Sequence, residues 1–414
     1  MAILILNRGA FSFDYNEWLP EEIKKHTVIF SSKARPLSGF KEVAYVDSMG
    51  DGEFQAKLLD VIGKNKISRI FAHSEDDSKL VDSLKCSLGL SDKHLPDLYQ
   101  FKNKLKMKLL LRDLGVPIAK YIEAKNVIDI YSFAKSKVGF PIVLKPVDCS
   151  GSVGVSIIKS EQELSDWAKS PLTFPIIAEA FVKKELYHAD GIIIDGKIQF
   201  LSIGKYLSSY AGGALSMLSD GNLCSTIVNR DEDESATKIY DLAEQHLQKF
   251  VYHAQNHILP FHFEFFYDKK DEDLVACEIA ARIGGPRILE TNSDLFGVNL
   301  HRLWLSAYFD LPWDAPENLY PNGSGGWMLY KPTGTRIISG PTKCELAEVV
   351  SSTLKFDFGQ KLGKIGNSAE YIFGASFRAE TGDHAALVAE SLLDWTRDSF
   401  HISNLQNNLE KYNL

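Results

Sequence analysis

Short apolar runs punctuated by turn residues fill the first hundred positions. Residues 3–6, 28–30, 42–46 and 69–72 read as short strands, and 54–62 carries a helical period among them. The first of these has the unbroken apolar character of a strand in a parallel sheet, so the pattern predicts an open α/β unit. Residues 99–114 are lysine-rich with helical spacing and stop at Gly115, Val116 and Pro117, a glycine cap with a proline beyond it. The pattern then turns β-rich. Strands are predicted over 142–145, 155–158 and 176–178 with a helix over 161–169, a small α+β unit. From about residue 185, strands at 191–194, 197–203, 261–267 and 274–279 alternate with a long helix at 237–252. Asp231, Glu232, Asp233 and Glu234 stand before that helix, where negative charge is favourable. The tail, 325–402, mixes short strands with a helix at 385–400.

With 414 residues, 45% of them hydrophobic, the chain has material for more than one buried core, which excludes a disordered or disulfide-stapled class. Lys+Arg number 46 and Asp+Glu 54, a formal charge of −8 that disfavours a nonspecific binder of nucleic acid or of an anionic membrane. Total charge does not report the sign of a pocket. Cys86, Cys149, Cys224, Cys277 and Cys344 are far apart, with no CxxC pair for zinc or redox chemistry, and fit a reducing compartment. No run approaches the ~20 apolar residues of a membrane span, and the opening residues read as a strand and not a signal peptide. A cytoplasmic enzyme acting on small molecules is the expectation.

Two segments carry chemistry. Lys145 ends an apolar strand, and the turn from Cys149 to Gly154 follows with Gly151 and Gly154 among small residues. Backbone N–H groups in such a turn can cradle phosphate oxygens beside a lysine; a plain hairpin accounts for the pattern equally well. The turn is no Walker loop, since no Gly-Lys-Ser/Thr closes it, and Asn7-Arg8-Gly9 is no dinucleotide fingerprint. Further on, His262-Phe263-Glu264 and Glu278 lie on two strands expected to pair around the charged turn 268–273. Carboxylates on one face of such a hairpin repel unless a cation lies between them, the usual manner of holding magnesium against substrate phosphates. Arg282 and the Gly284-Gly285 pair follow, suited to developing phosphate charge and to close backbone approach. A structural Glu278–Arg282 ion pair is the alternative.

Four stretches occur in a telling order: the Asn103-Lys104 helix ending in Gly-Val-Pro; Pro-Ile-Val-Leu-Lys-Pro with Ser-Gly-Ser-Val-Gly-Val; Ile-Ile-Ala-Glu-Ala-Phe-Val-Lys-Lys-Glu; and His-Phe-Glu followed by Glu-Ile-Ala-Ala-Arg-Ile-Gly-Gly. Over roughly residues 1–300 the chain resembles the ATP-grasp superfamily. The resemblance implies α/β and α+β structure in three parts: an N-terminal open α/β domain (1–100), a small lid domain (101–184) and a C-terminal ATP-grasp domain with a C-terminal subdomain (185–414). ATP is then held between the last two.

By the same resemblance Lys104 and Lys145 are the nucleotide-phosphate lysines, and Ser150, Gly151, Ser152 and Gly154 form the loop over the phosphates. Glu179, Ala180 and Val182 form the hinge at the adenine edge, and Glu185 accepts from the ribose hydroxyls. Glu264 and Glu278 are the magnesium ligands, with manganese as an alternative ion, and Arg282 steadies an acyl phosphate with Lys145. The family's usual Asn two positions after the second Glu is Ala280 here, which thins the second metal shell. Within the superfamily the nearest resemblance is to L-amino-acid ligases, implying ATP-dependent joining of two amino acids to a dipeptide through an acyl phosphate. An amide ligase on a carrier-bound or antibiotic-precursor substrate, and a nucleotide-binding regulator, are the competing readings. His188, Asp190, Gly284, Gly285 and Asp294 are the substrate-side candidates, although His188 and Asp190 also suit a strand start and a turn. Asp190, Glu290 and Asp294 suggest a basic amino acid. Closure over the intermediate is assigned to 150–154 and to 210–214, beside Met217. The expected partners are small molecules, with neither nucleic acid nor membrane and with a homodimer admitted.

Overall fold

The computed structural model describes residues 1–403 except 10–12, 33–35, 91–95, 208–220, 254–257, 321–322, 333, 335, 364 and 368. The predicted closing segment 210–214 and Met217 lie outside the described residues. Four parallel strands, β1 (Ala2–Asn7), β2 (Thr27–Ser31), β3 (Glu42–Tyr45) and β4 (Ile67–Ala72), form a sheet in the order β3-β2-β1-β4. Their apolar runs are unbroken because both faces are covered. Leu4, Leu6, Val28 and Phe30 pack on Phe54, Leu58 and Val61 of the helix Gly52–Lys64. Ile5, Ile29 and Phe71 on the opposite face meet Trp304 and Tyr308 of the helix Leu300–Tyr308. Phe71 lies 5.2 Å from Trp304 and 5.0 Å from Tyr308, centroid to centroid, so aromatic packing joins the first sheet to a helix whose Trp304 is 233 positions later in sequence (304 against 71).

A second sheet holds β5 (Tyr121–Ala124), β6 (Ile142–Pro146), β7 (Ser156–Ile158) and β8 (Ile176–Ala180), antiparallel in the order β5-β8-β6-β7. The helices Val127–Phe133 and Glu161–Trp167 cover it, contributing Ile130 and Leu164 to its core. The largest sheet draws on β9 (Glu185–Ile194), β10 (Lys197–Leu207), β11 (Asn222–Ile227), β12 (Leu259–Asp268), β13 (Asp273–Ala280) and β14 (Ser324–Tyr330). β15 (Arg336–Ser339) leaves it, and β16 (Val349–Leu354) and β17 (Phe373–Ala379) complete it. Its antiparallel order is β13-β12-β9-β10-β11-β14-β17-β16, while β15 pairs with β18 (His401–Ser403). The helix Glu234–His253 packs one face of the large sheet and Gly382–Ser399 closes its far end.

Most strands run longer than the hydrophobic pattern predicts, β3 and β7 each being one residue shorter. β9 starts at Glu185 and not at 191, because His188 and Asp190 are interior strand residues whose polar groups are satisfied across the sheet. The helix expected over 99–114 is two helices, Tyr99–Lys102 and Lys104–Asp113. Asn103 divides them: its side chain caps the second helix by accepting from the Lys106 N–H at 3.1 Å, while the Lys104 N–H turns to the Val147 carbonyl at 2.9 Å. β5, the helix Val127–Phe133 and β11 carry too little periodicity to be foreseen. Among the described residues no helix is long and apolar enough to cross a membrane.

Phe71→Ala removes the ring that seats the first sheet on Trp304 and Tyr308. Chemical denaturation should show a loss of about 3–5 kcal/mol, as for other fully buried aromatics cut back to alanine.

Candidate active site

The site begins with an anomaly on the helix Lys104–Asp113. Lys104, Met107, Lys108 and Leu111 form its buried stripe, spaced i, i+3, i+4 and i+7, so two lysines occupy positions where apolar residues are expected. Lys108 donates to the Cys277 carbonyl at 3.0 Å and lies 3.1 Å from Glu179 Oε1. Lys145, at the end of β6, reaches the other oxygen, Glu179 Oε2, at 3.0 Å, and the Cys277 Sγ at 3.6 Å. One buried carboxylate is thus bracketed by two lysines. Burial alone would raise its pKa, but Lys108 and then Lys145 outweigh this and hold it down at about 2. Lys145 mirrors it: burial opposes its charge, and the carboxylates of Glu179 and Glu278 more than offset that, raising its pKa. The Cys277 thiol is itself pushed up to about 11 by burial, so it stays neutral.

Lys104 donates to the Cys149 carbonyl and lies 3.8 Å from Glu278 Oε2. Lys102, two residues earlier at the end of the preceding helix, donates to Ser150 Oγ at 3.0 Å and to Asp76 Oδ1 at 2.8 Å. The turn these lysines meet is left-handed at Gly151, Ser152 and Gly154. Gly154 is required twice over: its φ is +72°, and a Cβ there would lie 2.7 Å from Pro146 Cγ.

The second half of the site stands on the large sheet. Glu264 on β12 is directly opposite Glu278 on β13 and opposite His188 on β9, so all three project from one face. On the other face of β12, Phe261, Phe263, Phe265 and Tyr267 enter the main core. Glu264 accepts from the Tyr206 hydroxyl at 2.8 Å and lies 3.6 Å from His262 Nε2. His262 Nδ1 is 2.9 Å from Asp190 Oδ1; Asp190 Oδ2 is 2.5 Å from His188 Nδ1; His188 Nε2 is 2.8 Å from Ser225 Oγ. A buried chain of polar groups therefore runs behind Glu264. Burial works against the charge on His262, Asp190 and Glu264, yet the Asp190 field raises His262, the imidazoles lower Asp190, and Glu264 is held low by His262. The chain needs two glycines. A Cβ at Gly204 would stand 2.3 Å from His188 Nε2, and one at Gly284 the same distance from Asp190 Oδ1.

Arg282 does not pair with Glu278. Its Nε donates to Glu75 Oε1 at 2.8 Å and its Nη1 to the Ile283 carbonyl at 3.1 Å. Glu75 belongs to the loop after β4, at the carboxyl end of the first sheet, where α/β sheets commonly meet their ligands. Burial opposes its charge, but Arg282 and then Lys102 pull its pKa down to about 2.

These pieces line one cleft of about 510 Å³. Lys104, Lys145, Ser150, Gly151, Ser152, Glu179, Ala180, Val182, Glu264, Glu278, Arg282 and Gly285 all face it, so most of the residues named from sequence converge. The others stand apart for identifiable reasons. His188 and Asp190 are sealed inside the polar chain, and Gly284 packs on Asp190. Asp294 accepts from Ser351 and Ser376, and Gly154 shapes the turn from behind. Glu185 is exposed, bonded to Lys205 and Tyr187. Lys102, Lys108, Glu75 and Tyr206 escaped the sequence reading. Lysines inside an apolar helical stripe were the available signal for Lys108, and a strand-end acidic cluster for Glu75.

Two consequences can be measured. Asp190→Asn keeps shape but removes the buried charge that both His188 and His262 face, and should cost about 3 kcal/mol or more in denaturant unfolding. For Glu179 the folded pKa lies below its ordinary 4.5, so its contribution to stability is complete above that value and lost as pH falls from 4.5 towards 2. Melting temperature should drop across that window, and Glu179→Gln should flatten the drop.

No protein-family model matches the sequence. Over 263 residues it is 26% identical to an L-arginine-specific L-amino acid ligase of Bacillus subtilis, a match spanning 61% of each chain and so under two thirds of that relative's length. In fold, the L-amino acid ligase of Bacillus licheniformis superposes with a TM-score of 0.70 at 18% identity, covering 97% of this chain and 98% of that one. A carboxyaminoimidazole ribonucleotide synthase from Aspergillus clavatus, complexed with ATP, follows at 0.66 and 15%, covering 96% and 99%. The chain has the ATP-grasp fold and, within it, resembles the L-amino-acid ligases.

Proposed function

We propose that the protein is an ATP-dependent carboxylate–amine ligase that joins two L-amino acids into a dipeptide, releasing ADP and phosphate. The observation that carries this is the convergence, in one cleft, of Lys104, Lys145 and the Ser150–Ser152 turn with Glu264, Glu278 and Arg282. The first group suits a triphosphate and the second a carboxylate being phosphorylated. The likeness to amino-acid ligases in sequence and fold supports the same reading.

Amide formation in water is blocked because a carboxylate oxygen is a poor leaving group. In the proposed reaction a carboxylate oxygen attacks the γ-phosphorus of ATP, the bond to the β–γ bridging oxygen breaks, and ADP departs. Lys145 and Arg282 face the oxygens over which negative charge spreads. The free amine of the second amino acid then attacks the acyl carbon; phosphate leaves with its bonding pair, and the amine proton passes to it. Arg282 can serve both steps, since a planar guanidinium holds two oxygens at once. Its link to Glu75 holds it at the cleft wall beforehand. Glu264 and Glu278 fit a magnesium ion: they stand opposite each other, line the same cleft, and Glu264 is kept ionised. When bound, that ion would neutralise phosphate charge. Ala280 offers it no further ligand.

Phosphate release measured with each amino acid alone and in pairs, with products identified by mass spectrometry, tests the reading. Release that depends on pairs and yields dipeptide is expected; silence in every pair would overturn it. Arg282→Ala should keep nucleotide affinity and lose about a hundredfold or more in turnover, ~3 kcal/mol of barrier.

A further inference from the structure

Past Glu264 the cleft changes character. Tyr206 on β10, Leu223 on β11, Trp327 and Leu329 on β14, and Ile288 at the start of the helix Ile288–Phe296 form one apolar cluster, and all five line the cleft. The sheet register makes them a wall. Leu223 is directly opposite Leu329, and Ser225, two residues along the same face, is opposite both Trp327 and Tyr206. The Tyr206 and Trp327 rings stand edge to face, 6.2 Å apart at 87°. Because the Tyr206 hydroxyl donates to Glu264, this wall adjoins one of the two carboxylates proposed to hold the magnesium ion.

Of the acidic residues of the cleft only Glu264 borders this wall, its Oε1 taken by the Tyr206 hydroxyl, and all of them are already engaged. Among the described residues they are Glu75, Asp76, Glu179, Glu264 and Glu278. Each lies within ion-pair distance of a cation: Arg282, Lys102, Lys145 with Lys108, His262, and Lys104 respectively. The three carboxylates that sequence suggested for a basic substrate do not reach the wall. Asp190 is sealed between two histidines, Asp294 is bonded to Ser351 and Ser376, and Glu290 is exposed away from the cleft. A guanidinium or ammonium group buried here without an unengaged carboxylate is penalised by desolvation, whereas a leucine or phenylalanine side chain is favoured by burial.

We infer that this wall receives the side chain of one amino-acid substrate and that the accepted class is large and apolar, aliphatic or aromatic, instead of arginine or lysine. The inference rests on the ligase reading above, and the two are separable by experiment. Phosphate release by the full-length protein is measured with all pairs drawn from leucine, methionine, phenylalanine, arginine, lysine, glutamate and alanine, with nucleotide binding followed in parallel. Pairs containing a large apolar residue should exceed those without one by about tenfold or more in kcat/KM. Strongest release with arginine or lysine, or with alanine or glutamate alone, would overturn the apolar assignment and leave the ligase standing. No release from any pair, with nucleotide still bound, would overturn the ligase reading and this one with it. Leu223→Ala, which opens the wall beside Leu329, should move preference from leucine towards tryptophan; an unchanged order of substrates in a folded variant would remove the wall from substrate contact.

Discussion

Glu179 is buried between two lysines, and the placement of the cleft's parts depends on it. A lone carboxylate at that depth would be neutral or would destabilise the fold by several kcal/mol. Its partners come from separate elements: Lys108 from the helix Lys104–Asp113, Lys145 from β6, with Lys108 also holding the Cys277 carbonyl of β13. Glu179 is on β8, so one charged cluster ties the small sheet, the connecting helix and the large sheet together. Buried ion pairs seldom add net stability, since desolvation offsets their attraction. What this one supplies is position: Lys145 is kept charged and pointed into the cleft, and the Ser150–Ser152 turn is set beyond it.

The large sheet solves a related problem with hydrogen bonds. Glu264 is ionised in a buried place, supported by a hydroxyl on one side and an imidazole on the other. The imidazole is in turn fixed by Asp190, and Asp190 by a second imidazole that ends on Ser225. Three adjacent strands, β12, β9 and β10, together with β11, each contribute one or more members. Gly204 and Gly284 leave the room that the side chains occupy. The polar chain therefore extends the carboxylate's rigidity into the interior of the sheet, which is why its residues lie inside strands and not in loops.

Much of this was legible in sequence and some was not, for reasons that differ by element. The β1 strand, the Lys145 turn and the Glu264/Glu278 hairpin were readable because local period and residue type carry them. Asn103 was misread as a helix interior because a capping residue between two helical runs leaves the period intact while changing the partner of a single N–H. His188 and Asp190 suit in sequence either a substrate-facing pair or a strand start and a turn. Nothing local reveals that His262, 72 positions away, closes on Asp190 and removes both from solvent. Glu75 was missed for the same reason: its partner Arg282 is 207 positions distant. Long-range charge pairing is what sequence period cannot show, and the site is made mostly of it.

That pairing also bears on how an acidic protein could hold the phosphate groups of the proposed reaction. Lys102, Lys104, Lys108, Lys145, Arg282 and His262 each have a carboxylate partner within the cleft or directly behind it. The site is close to self-neutralised, and the −8 of the whole chain is spread elsewhere. For the proposed substrate the consequence is an exchange of partners. Triphosphate oxygens arriving at Lys104 would draw it from Glu278, and an acyl phosphate at Arg282 would draw it from Glu75. Each step leaves a carboxylate to face the amine of an amino acid or a divalent cation, so the negative groups that hold the lysines and the arginine before binding become ligands afterwards. The apolar wall beyond Glu264 has no such surplus charge to release, and this is the physical reason that one end of the cleft suits phosphates while the other suits a hydrocarbon side chain.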